Sequence, residues 1–549
     1  MQNKTQRHRD TENAISFDKK VKRGYLYYNL CASVPLCLYN VLVIVALSII
    51  IAGCTGKEGA KGLITVSPES TVMTLNASLQ FSVTPAGTSV TWGVKGDSEK
   101  LLGGIDSSGL YKAPSDPATS PEKVIISAID SSGSKGTATA FLTTFNANKR
   151  ISKNYAEGAG RSATYSPGQK SIAVFKKDGS GDVNIYMVWA DNSPGVSQIW
   201  FSKSADNGAT FSEPVKVNES PSGKQISPSI AVDNSGKAFV VWEDYRDSDT
   251  NILMSFYNGA AFGPILNVNT AFFGSIDRES SPSIALSDSG DICVVWEHRS
   301  SSSDLYPDIN FSKSTDQGQT FSTPAVVTYS GRRPSIVVDT SGIAYVVWED
   351  LTGFPSTSSP THIMVSKIKI ADTTVGQTIQ VDSLPGSFDQ ARFPSLSVAP
   401  DGKKAYVVWQ RAEITSPGFE KEITSSYDVD IAVVDVTNYT VTQTLSIPAS
   451  KNVGFFGGPA YPSIASDNNY VYIVWDDERN GTKDIYFTRS IDGKTFTTTN
   501  RIVNDDLGTW HEKPAIAVSD GKAYVIWTDY RNTSLVTTVS PSDVFFARE

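Results

Sequence analysis

The sequence predicts an all-β fold, a β-propeller in which four-stranded sheets stand around a central axis. Seven times between Ser171 and Glu549, an apolar run, which begins at a Pro-Ser in five of the copies, is followed by a polar turn and by Val-Val-Trp or a close variant. The tryptophans of these copies are Trp189, Trp242, Trp296, Trp348, Trp409, Trp475 and Trp527. They lie 53, 54, 52, 61, 66 and 52 residues apart, and a strand-rich repeat of this length is typical of propeller blades.

Each copy contains four candidate strands. In the second copy they are Ser229–Val232, Ala238–Trp242, Asn251–Tyr257 and Pro264–Asn269. The first two are continuous apolar runs, which suit strands that are buried on both faces between neighbouring sheets. One copy is therefore predicted to form one blade.

The ring is predicted to close by pairing its two ends. The seventh copy ends at Glu549 before any fourth strand, which would leave an open sheet edge. Upstream, Asn148–Asn154 resembles the fourth strand of the sixth copy, Asn500–Asn504. We therefore expect a seven-bladed ring in which residues near Arg150 pair with residues near Phe545. The alternative is six blades and a stray sheet, because the first copy is the most degenerate.

A region with a different spacing of predicted strands precedes the ring. Residues 62–145 are punctuated by Gly, Pro and Ser, which predicts a small β-sandwich. Its strand Val90-Thr91-Trp92 and its turn Gly104–Tyr111 resemble bacterial immunoglobulin-like modules. The resemblance implies a spacer without chemistry, and it places the propeller at residues 146–549.

The N-terminus is predicted to carry a targeting signal. A basic cluster at Lys19–Arg23 precedes the apolar stretch Val41–Ala52 and then Gly53-Cys54. This pattern resembles a bacterial lipoprotein signal, which implies cleavage after residue 53, a lipid on Cys54 and a linker at 54–61. The predicted location is the bacterial cell envelope, lipid-anchored at the outer membrane or the cell surface, with the membrane as a partner. An uncleaved membrane helix is the alternative.

Charge and cysteine content exclude several functions. The first 53 residues hold seven Lys/Arg and three Asp/Glu, so their loss changes the formal charge from −9 to −13. An acidic protein is a poor candidate for binding nucleic acid. Cys293 would be the one thiol left beside Cys54, so no disulfide is expected and Cys293 is read as a core residue. The four histidines, His8, His298, His362 and His511, lack metal-ligand spacing, so neither a metal nor another cofactor is predicted.

Three hairpins resemble the Asp-box of sialidases and related propellers. They are Ser204–Phe211, Ser314–Phe321 and the one-residue-shorter Ser490–Phe496. Physically, the aspartate of such a hairpin accepts backbone N–H groups and glycine supplies a positive φ. In that family the Asp-box lies on the face opposite the active site. The resemblance therefore implies a structural role for Asp206, Asp316 and Asp492, and sialidases themselves have six blades.

The opposite face is predicted to bind the ligand. The loops that enter first strands and leave second strands open on one side of the ring, and loops on a rigid scaffold commonly carry binding residues. The candidate ligand-binding residues in these loops are Arg246, Arg299, Arg333, Arg392, Arg479, Arg531 and Trp510. Because Asp244/Arg246 recurs as Asp477/Arg479 and Asp529/Arg531, these pairs are also consistent with simple turn clamps.

Unrepeated loop residues are the stronger hints of function. Insertions occur at Leu351–Thr361 and Arg411–Tyr427. Aromatic side chains that suit sugar rings or peptide side chains occur in other loops at Phe272, Phe273, Phe388, Phe455 and Phe456.

The sialidase resemblance implies three arginines that bind a carboxylate, a tyrosine nucleophile assisted by a glutamate, and an acidic aspartate. Arg392-Phe393-Pro394 matches the family pattern but occurs in the fifth copy, and neither Tyr461 nor Tyr427 has an assignable glutamate, so no catalytic set is predicted. We expect non-catalytic binding of an extracellular glycan or protein. The alternatives are a sialidase-type glycoside hydrolase acting on acidic sugars and a scaffold in a cell-envelope assembly.

Overall fold

Every regular element in the described part of the chain is a β-strand. The computed structural model describes residues 64–97, 99–152, 161–165, 168–176, 179, 181–193, 195–218, 222–246, 250–269, 277–300, 306–352, 360–384, 389–416, 423–448, 460–497, 499–532 and 541–549. Cys54, the predicted signal and the loop aromatics Phe272, Phe273, Phe388, Phe455 and Phe456 lie outside these ranges. The described residues belong to one compact unit, Leu63–Glu549, and among them no helix is long and apolar enough to cross a membrane.

Residues 64–145, here called the N-terminal module, form nine strands. They are β1 (Thr65–Ser67), β2 (Ser70–Thr74), β3 (Ser78–Gln80), β4 (Ser82–Thr84), β5 (Val90–Lys95), β6 (Gly104–Ile105), β7 (Leu110–Lys112), β8 (Lys123–Asp130) and β9 (Lys135–Thr143). A four-stranded sheet of order β2-β9-β8-β5, a sheet β3-β7-β6 and a pair β1-β4 surround one core. Phe81, Tyr111 and Ile126 are fully buried in that core. The likeness to immunoglobulin-like modules stays a prediction.

Seven further sheets follow along the described residues, and we call them blades 1 to 7. A short strand, β10 (Lys149–Arg150), precedes them. Blade 1 contains β11 (Ser162–Ala163), β12 (Ile172–Lys176), β13 (Val183–Asp191), β14 (Gln198–Ser204) and β15 (Val215–Lys216); blade 2 contains β16 (Gln225–Val232), β17 (Ala238–Asp244), β18 (Asn251–Tyr257) and β19 (Leu266–Asn267). Blade 3 contains β20 (Arg278–Leu286), β21 (Ile292–Arg299), β22 (Asp308–Ser314) and β23 (Ala325–Thr328); blade 4 contains β24 (Gly331–Val338), β25 (Ile343–Asp350), β26 (His362–Lys369) and β27 (Thr374–Gln380). Blade 5 contains β28 (Gln390–Val398), β29 (Lys404–Ser416), β30 (Ile423–Asp435) and β31 (Thr440–Ser446); blade 6 contains β32 (Ala460–Ser466), β33 (Val471–Asp477), β34 (Asp484–Ser490) and β35 (Arg501–Ile502). Blade 7 contains β36 (His511–Ser519), β37 (Lys522–Asp529) and β38 (Asp543–Arg548), together with β10.

The innermost strands of the blades form a closed cycle. β12, β16, β20, β24, β28, β32 and β36 each lie beside the next, and β36 lies beside β12. The ends of the chain close blade 7 as predicted, because β10 pairs antiparallel with β38 through Lys149↔Phe546 and Arg150↔Phe545. This topology confirms the predicted all-β propeller fold.

The repeated tryptophan packs each blade onto the blade before it. Trp409 of blade 5, for example, shares a core with Val347 and Ile363 of blade 4, and Trp242 of blade 2 shares one with Val188 of blade 1. All seven repeated tryptophans are at most 2% exposed. The residues on either side of each tryptophan face the other neighbouring blade, since successive side chains of a strand alternate. This alternation explains why the Val-Val-Trp runs are apolar on both faces.

In blades 2, 3 and 6 the serine of the repeated Pro-Ser ties the blade to the next one along the chain. The serine oxygen accepts a hydrogen bond from the backbone of the following blade, as in Ile284 N–H to Ser229 Oγ (3.4 Å) and Ile516 N–H to Ser463 Oγ (3.4 Å). In blades 2, 3, 4 and 6 the residue after the tryptophan is acidic and makes a second bond of this kind. Glu349 Oε1, for example, accepts from Phe393 N–H at 2.6 Å. We call these the serine latch and the carboxylate latch.

Asp206, Asp316 and Asp492, in the hairpins that resemble the Asp-box, hold those hairpins after the third strands. Asp206 accepts from the backbone N–H (2.8 Å) and the hydroxyl (2.6 Å) of Thr210. Asp316 accepts the corresponding bonds from Thr320, and Asp492 accepts from the N–H groups of Lys494 and Thr495. These hydrogen bonds all lie within the hairpins, at the end of the ring where first strands finish.

Gly168 brings the start of blade 1 against blade 4, across the ring. A Cβ on Gly168 would lie 2.7 Å from the carbonyl oxygen of Pro334. We expect Gly168→Ala to lower the free energy of unfolding by about 1–3 kcal/mol, because backbone atoms would have to move. Gly181→Ala is the matched control, since its Cβ would meet nothing within 4 Å. Denaturant unfolding of the two variants measures the difference, and equal stabilities would contradict the close approach.

Candidate functional site

A register shift at the start of the first strands creates a ring of special positions. In six blades the residue before the repeated proline has a positive φ, between 49° and 55°. These residues are Ser227, Ser281, Arg333, Phe393, Tyr461 and Lys513. Non-glycine residues held at positive φ are uncommon and often mark functional sites. They lie where first strands begin and second strands end, the side we call the funnel face.

The side chains in this ring differ from blade to blade, unlike the latches around them. Blades 2 and 3 place serine at this position, whereas blades 4 to 7 place Arg333, Phe393, Tyr461 and Lys513. Holding the blades together requires only that the serine and carboxylate latches recur. The four large residues on consecutive blades are therefore the strongest candidate for a binding surface, and we call them, together with Lys483, the funnel cluster.

The funnel cluster forms a continuous row of cations and aromatic rings. The Arg333 guanidinium lies 4.4 Å from the centroid of the Phe393 ring, and the Phe393 and Tyr461 centroids are 4.5 Å apart. The ammonium groups of Lys483 and Lys513 lie 6.0 and 5.9 Å from the Tyr461 centroid. Lys483 also lies 5.7 Å from the ring of Trp510, which is 47% exposed at the edge of the row.

Buried carboxylates hold the cations of the row in place. The fully buried Glu349 accepts from Arg332 Nε (2.5 Å) and from Arg333 NH1 (2.8 Å). Burial alone would raise the pKa of Glu349, but the charges of Arg333 and Arg332 outweigh it and lower the pKa. Asp476 lies 3.1 Å from Lys483 Nζ, yet burial raises its pKa to about 6.

The cations of this region lie among an almost equal number of carboxylates. The cations are Arg332, Arg333, Lys483 and Lys513, and the carboxylates paired with them are Glu349, Asp476 and Glu512. Glu297 and Glu478 also act on Arg333 and Lys483. Protonation of Asp476 would leave four carboxylate charges beside the four cations.

Two tyrosine–glutamate pairs lie on the same face, and sequence reasoning missed both. Tyr245 Oη donates to Glu243 Oε2 at 3.1 Å, and Tyr530 Oη donates to Glu512 Oε1 at 2.9 Å. Burial raises the pKa of Glu243. The Glu243–Tyr245 pair could have been found from the sequence, because residues two apart on a strand point to the same side.

The predicted arginines do not converge on one point. Arg246, Arg479 and Arg531 each bind the aspartate two residues earlier, with guanidinium-to-carboxylate distances of 2.7, 2.5 and 2.8 Å. Arg479 and Arg531 also lie 4.0 and 4.1 Å from the rings of Tyr486 and Phe545 on third strands. These three arginines clamp their turns, which was the simpler interpretation of their repetition.

The remaining predicted residues are dispersed. Arg333 belongs to the funnel cluster and Trp510 lies at its edge. Arg299 pairs in register with Arg278 at the funnel end of blade 3, and Arg392 pairs with Gln410. Of the two tyrosines considered and not assigned as a nucleophile, Tyr461 packs on Phe393, and Tyr427 pairs in register with Ala412.

The insertion predicted as a loop at Arg411–Tyr427 is instead largely an extension of two strands. β29 and β30 continue past the rim of blade 5 through the pairs Ala412↔Tyr427 and Glu413↔Ser426. Arg411 lies at the base of this hairpin and binds Asp428 (2.5 Å), Asp430 (2.8 Å) and Glu413 (2.5 Å). Its role is therefore to hold the hairpin.

A buried histidine cluster in blade 7 was also missed, because its members are distant in sequence. The imidazole of His511 lies 3.0 Å from Asp506 and 3.4 Å from Asp529, and these three side chains could together hold a metal ion. Arg531 NH2, however, lies 2.7 Å from Asp506 and 2.8 Å from Asp529. A guanidinium already neutralises both carboxylates, so the cluster is better suited to stabilising the fold.

The pairing of His362 with Asp382 predicts that the free energy of unfolding depends on pH. The hydrogen bond to Asp382 raises the pKa of His362 above its ordinary 6.5. Because the folded chain holds this proton more tightly, the stabilisation is complete below the unfolded pKa and is lost as pH rises through the folded pKa. We expect His362→Gln to be less stable than the wild type at about pH 6, by at most about 1 kcal/mol for this partly exposed pair, and the gap to narrow at about pH 8. Urea unfolding at both pH values measures the gap, and a constant gap would contradict the assignment.

Comparisons with known proteins add little to this geometry. No protein family and no curated protein matches the sequence. Among solved structures, the polysaccharide lyase Uly1 has a TM-score of 0.44 at 10% identity, over 72% of this chain and 94% of its own. The phage phi92 endosialidase has a TM-score of 0.44 at 11% identity, over 75% and 70%, and the α-L-arabinanase of Penicillium chrysogenum has 0.39 at 13%, over 58% and 92%. At these TM-scores the similarities support no conclusion about function. The sheet topology alone defines the class of this protein, which is a β-propeller with an N-terminal β module.

Proposed function

We propose that the propeller binds a carboxylated glycan at the funnel cluster without cleaving it, on a bacterial cell surface to which a lipid on Cys54 anchors the chain. The observation that carries the proposal is the row of unrepeated cations and aromatic rings on four consecutive blades. The serine and carboxylate latches recur in several blades. The ring therefore does not need the side chains of Arg333, Phe393, Tyr461 and Lys513 in order to close.

The chemistry of the row suits an acidic sugar chain. Phe393, Tyr461 and the half-exposed Trp510 offer rings on which the apolar face of a sugar can stack. Lys513 and Lys483 can pair with a carboxylate. The row spans several blades, so it is long enough to contact more than one sugar unit.

Binding without cleavage fits the arginines better than sialidase catalysis does. A sialidase-type site needs three arginines around the carboxylate of the substrate. Here Arg332 and Arg333 are both held by Glu349, a carboxylate of the chain itself. Tyr461 lies among Phe393 and two lysines and has no glutamate within hydrogen-bond reach among the described residues.

A glycoside hydrolase remains the second candidate, because of the two tyrosine–glutamate pairs. A glutamate next to a tyrosine hydroxyl can act as the base that activates it. Under this alternative, the protein would release the fluorophore from a fluorogenic sialoside or uronide, and Tyr245→Phe or Tyr530→Phe would abolish the release. Absence of turnover by the wild type would leave binding as the function.

The binding proposal is tested with a panel of uronate- and sialate-containing oligosaccharides on residues 62–549. We expect the Phe393→Ala/Tyr461→Ala double variant to bind the selected glycan at least about fivefold more weakly, since each stacked ring contributes about 0.5–1.5 kcal/mol. Tyr329→Ala is the matched control, because Tyr329 is 76% exposed and lies outside the cluster. Equal binding by the double variant would contradict the site. If no glycan binds but envelope proteins co-purify, the scaffold hypothesis is favoured.

Anchoring through Cys54 is tested separately. We expect the full chain to incorporate radiolabelled fatty acid in bacteria and to partition into detergent. Cys54→Ser should abolish both, because a thiol must accept the lipid. Cys293→Ser is the matched control, since Cys293 is buried in blade 3. Labelling that persists in Cys54→Ser would overturn the anchor.

A further inference from the structure

The axis of the ring contains a cavity that is distinct from the funnel cluster. It has a volume of about 290 Å³ and is lined by all seven innermost strands, mostly through Ile, Val and Ala side chains of their second halves. The one ionisable residue in its lining is Lys170. The cavity therefore combines an apolar wall with a single amine.

Lys170 interrupts a repeated pattern. Alignment of Ser171-Ile172 with Ser229-Ile230 places Lys170 at the position of the repeated proline. The other six blades have a buried proline there, namely Pro228, Pro282, Pro334, Pro394, Pro462 and Pro514. The structure does not need a lysine at this position, because six of the seven blades close without one.

The Lys170 ammonium has no partner within the described part of the chain. Its backbone carbonyl accepts from Ile230 N–H at 2.9 Å, but its side chain forms neither an ion pair nor a hydrogen bond. The two polar side chains that line the cavity, Ser397 and Ser466, hydrogen-bond to each other at 2.7 Å. By contrast, Lys483 and Lys513 of the funnel cluster each have a carboxylate neighbour.

Burial without a counter-charge makes this amine costly to ionise. Lys170 keeps partial exposure, as a side chain lining a cavity does, yet desolvation lowers its pKa to about 8. An anion beside the amine would remove much of that cost, because paired charges are far cheaper to bury than isolated ones.

The cavity lies on the far side of a constriction from the funnel cluster. Gly168, two residues before Lys170, lies against Pro334 across the ring. The cavity walls belong to the strand halves nearer the Asp-box end. A ligand would therefore enter from the face opposite the funnel face.

We propose that the axial cavity binds a small carboxylate with an apolar tail, whose carboxylate pairs with the Lys170 ammonium. The Ile, Val and Ala side chains contact the tail. This site is independent of the proposed glycan site, because none of its residues belongs to the funnel cluster.

The test uses hexanoate, hexanol and chloride as probes on residues 62–549, at constant ionic strength. We expect hexanoate to bind saturably by calorimetry and to raise the melting temperature, and hexanol and chloride to bind at least about tenfold more weakly, the difference expected for a charged hydrogen bond. Lys170→Met should lose the preference for hexanoate over hexanol. Lys216→Met, which changes an exposed lysine, and the Phe393→Ala/Tyr461→Ala variant should both keep it.

Three results would overturn the proposal. Equal binding of hexanoate and hexanol would show an apolar cavity without an anion site. Undiminished hexanoate binding by Lys170→Met would place the carboxylate elsewhere. An equal effect of chloride would show an adventitious ion only. Should Lys170→Met fold poorly, Lys170→Pro restores the residue of the other six blades and takes its place.

Discussion

Replacing Glu349 by alanine is expected to lower the free energy of unfolding by about 3–5 kcal/mol, the cost of removing one partner from a buried ion pair. Glu349 is fully buried and accepts bonds from Arg332, Arg333 and the backbone N–H of Phe393. Its loss would break the carboxylate latch between blades 4 and 5 and leave two guanidinium groups without their common carboxylate. Denaturant unfolding measures the loss of stability.

Glu349→Gln is the control for this prediction. The amide oxygen can still accept from Phe393 N–H, so the latch is kept while the charge is lost. We expect a smaller destabilisation than for alanine, together with weaker glycan binding because Arg333 is no longer fixed. A loss below about 1 kcal/mol for Glu349→Ala, the value of an exposed ion pair, would show that Glu349 does not organise the funnel face.

Replacing Arg501 by methionine is expected to loosen the N-terminal module from blade 6. The buried Arg501 side chain donates to the carbonyl oxygens of Pro121 (2.5 Å), Leu142 (3.2 Å), Pro117 (2.8 Å) and Ser120 (2.9 Å) of the module. Charged hydrogen bonds contribute about 1.5–3 kcal/mol each, and unpaired buried carbonyls are costly. We therefore expect a destabilisation of about 3 kcal/mol or more, with faster proteolysis between the module and the ring.

Arg489→Met is the matched control for Arg501. Arg489 lies in the same blade but pairs with Glu549, at 3.1 Å, and makes no hydrogen bond to the module among the described residues. It should leave the rate of cleavage between module and ring unchanged. Equal cleavage of the two variants would show that Arg501 does not fasten the module.

The sequence predicts the propeller well because residues that hold neighbouring blades together recur from copy to copy. The tryptophan, the Pro-Ser and the acid after the tryptophan each contact a neighbouring blade, so they recur and can be counted. The closing strand near Arg150 was predictable for the same reason, since it copies the fourth strand of another blade.

The candidate site was harder to predict because its residues do not repeat. Arg333 stood among the predicted residues, but Phe393, Tyr461 and Lys513 were not recognised as its neighbours. Their shared position becomes visible only once the register shift before the proline is known. Conversely, Arg246, Arg479 and Arg531 were predicted to bind the ligand although they recur at equivalent positions. Their recurrence indicates that each holds its own turn.

Two other features depended on contacts between distant residues. The Asp506–His511–Asp529 cluster joins a loop to two strands, and spacing alone could not reveal it. Lys170 was detectable from the sequence, since an alignment of the seven copies exposes one lysine among six prolines, but only the structure places that lysine in a cavity without a counter-charge.

Strand β32 carries one unrepeated residue, Tyr461, and one repeated latch residue, Ser463. The most direct test compares the affinities of Tyr461→Ala and Ser463→Ala for uronate-containing oligosaccharides, together with their melting temperatures. Tyr461→Ala should bind about two- to tenfold more weakly at unchanged melting temperature, since it removes a stacking ring. Ser463→Ala should melt at a lower temperature, because it breaks a serine latch, and bind as the wild type does. Wild-type affinity in Tyr461→Ala would contradict the assignment of the funnel cluster as the binding site.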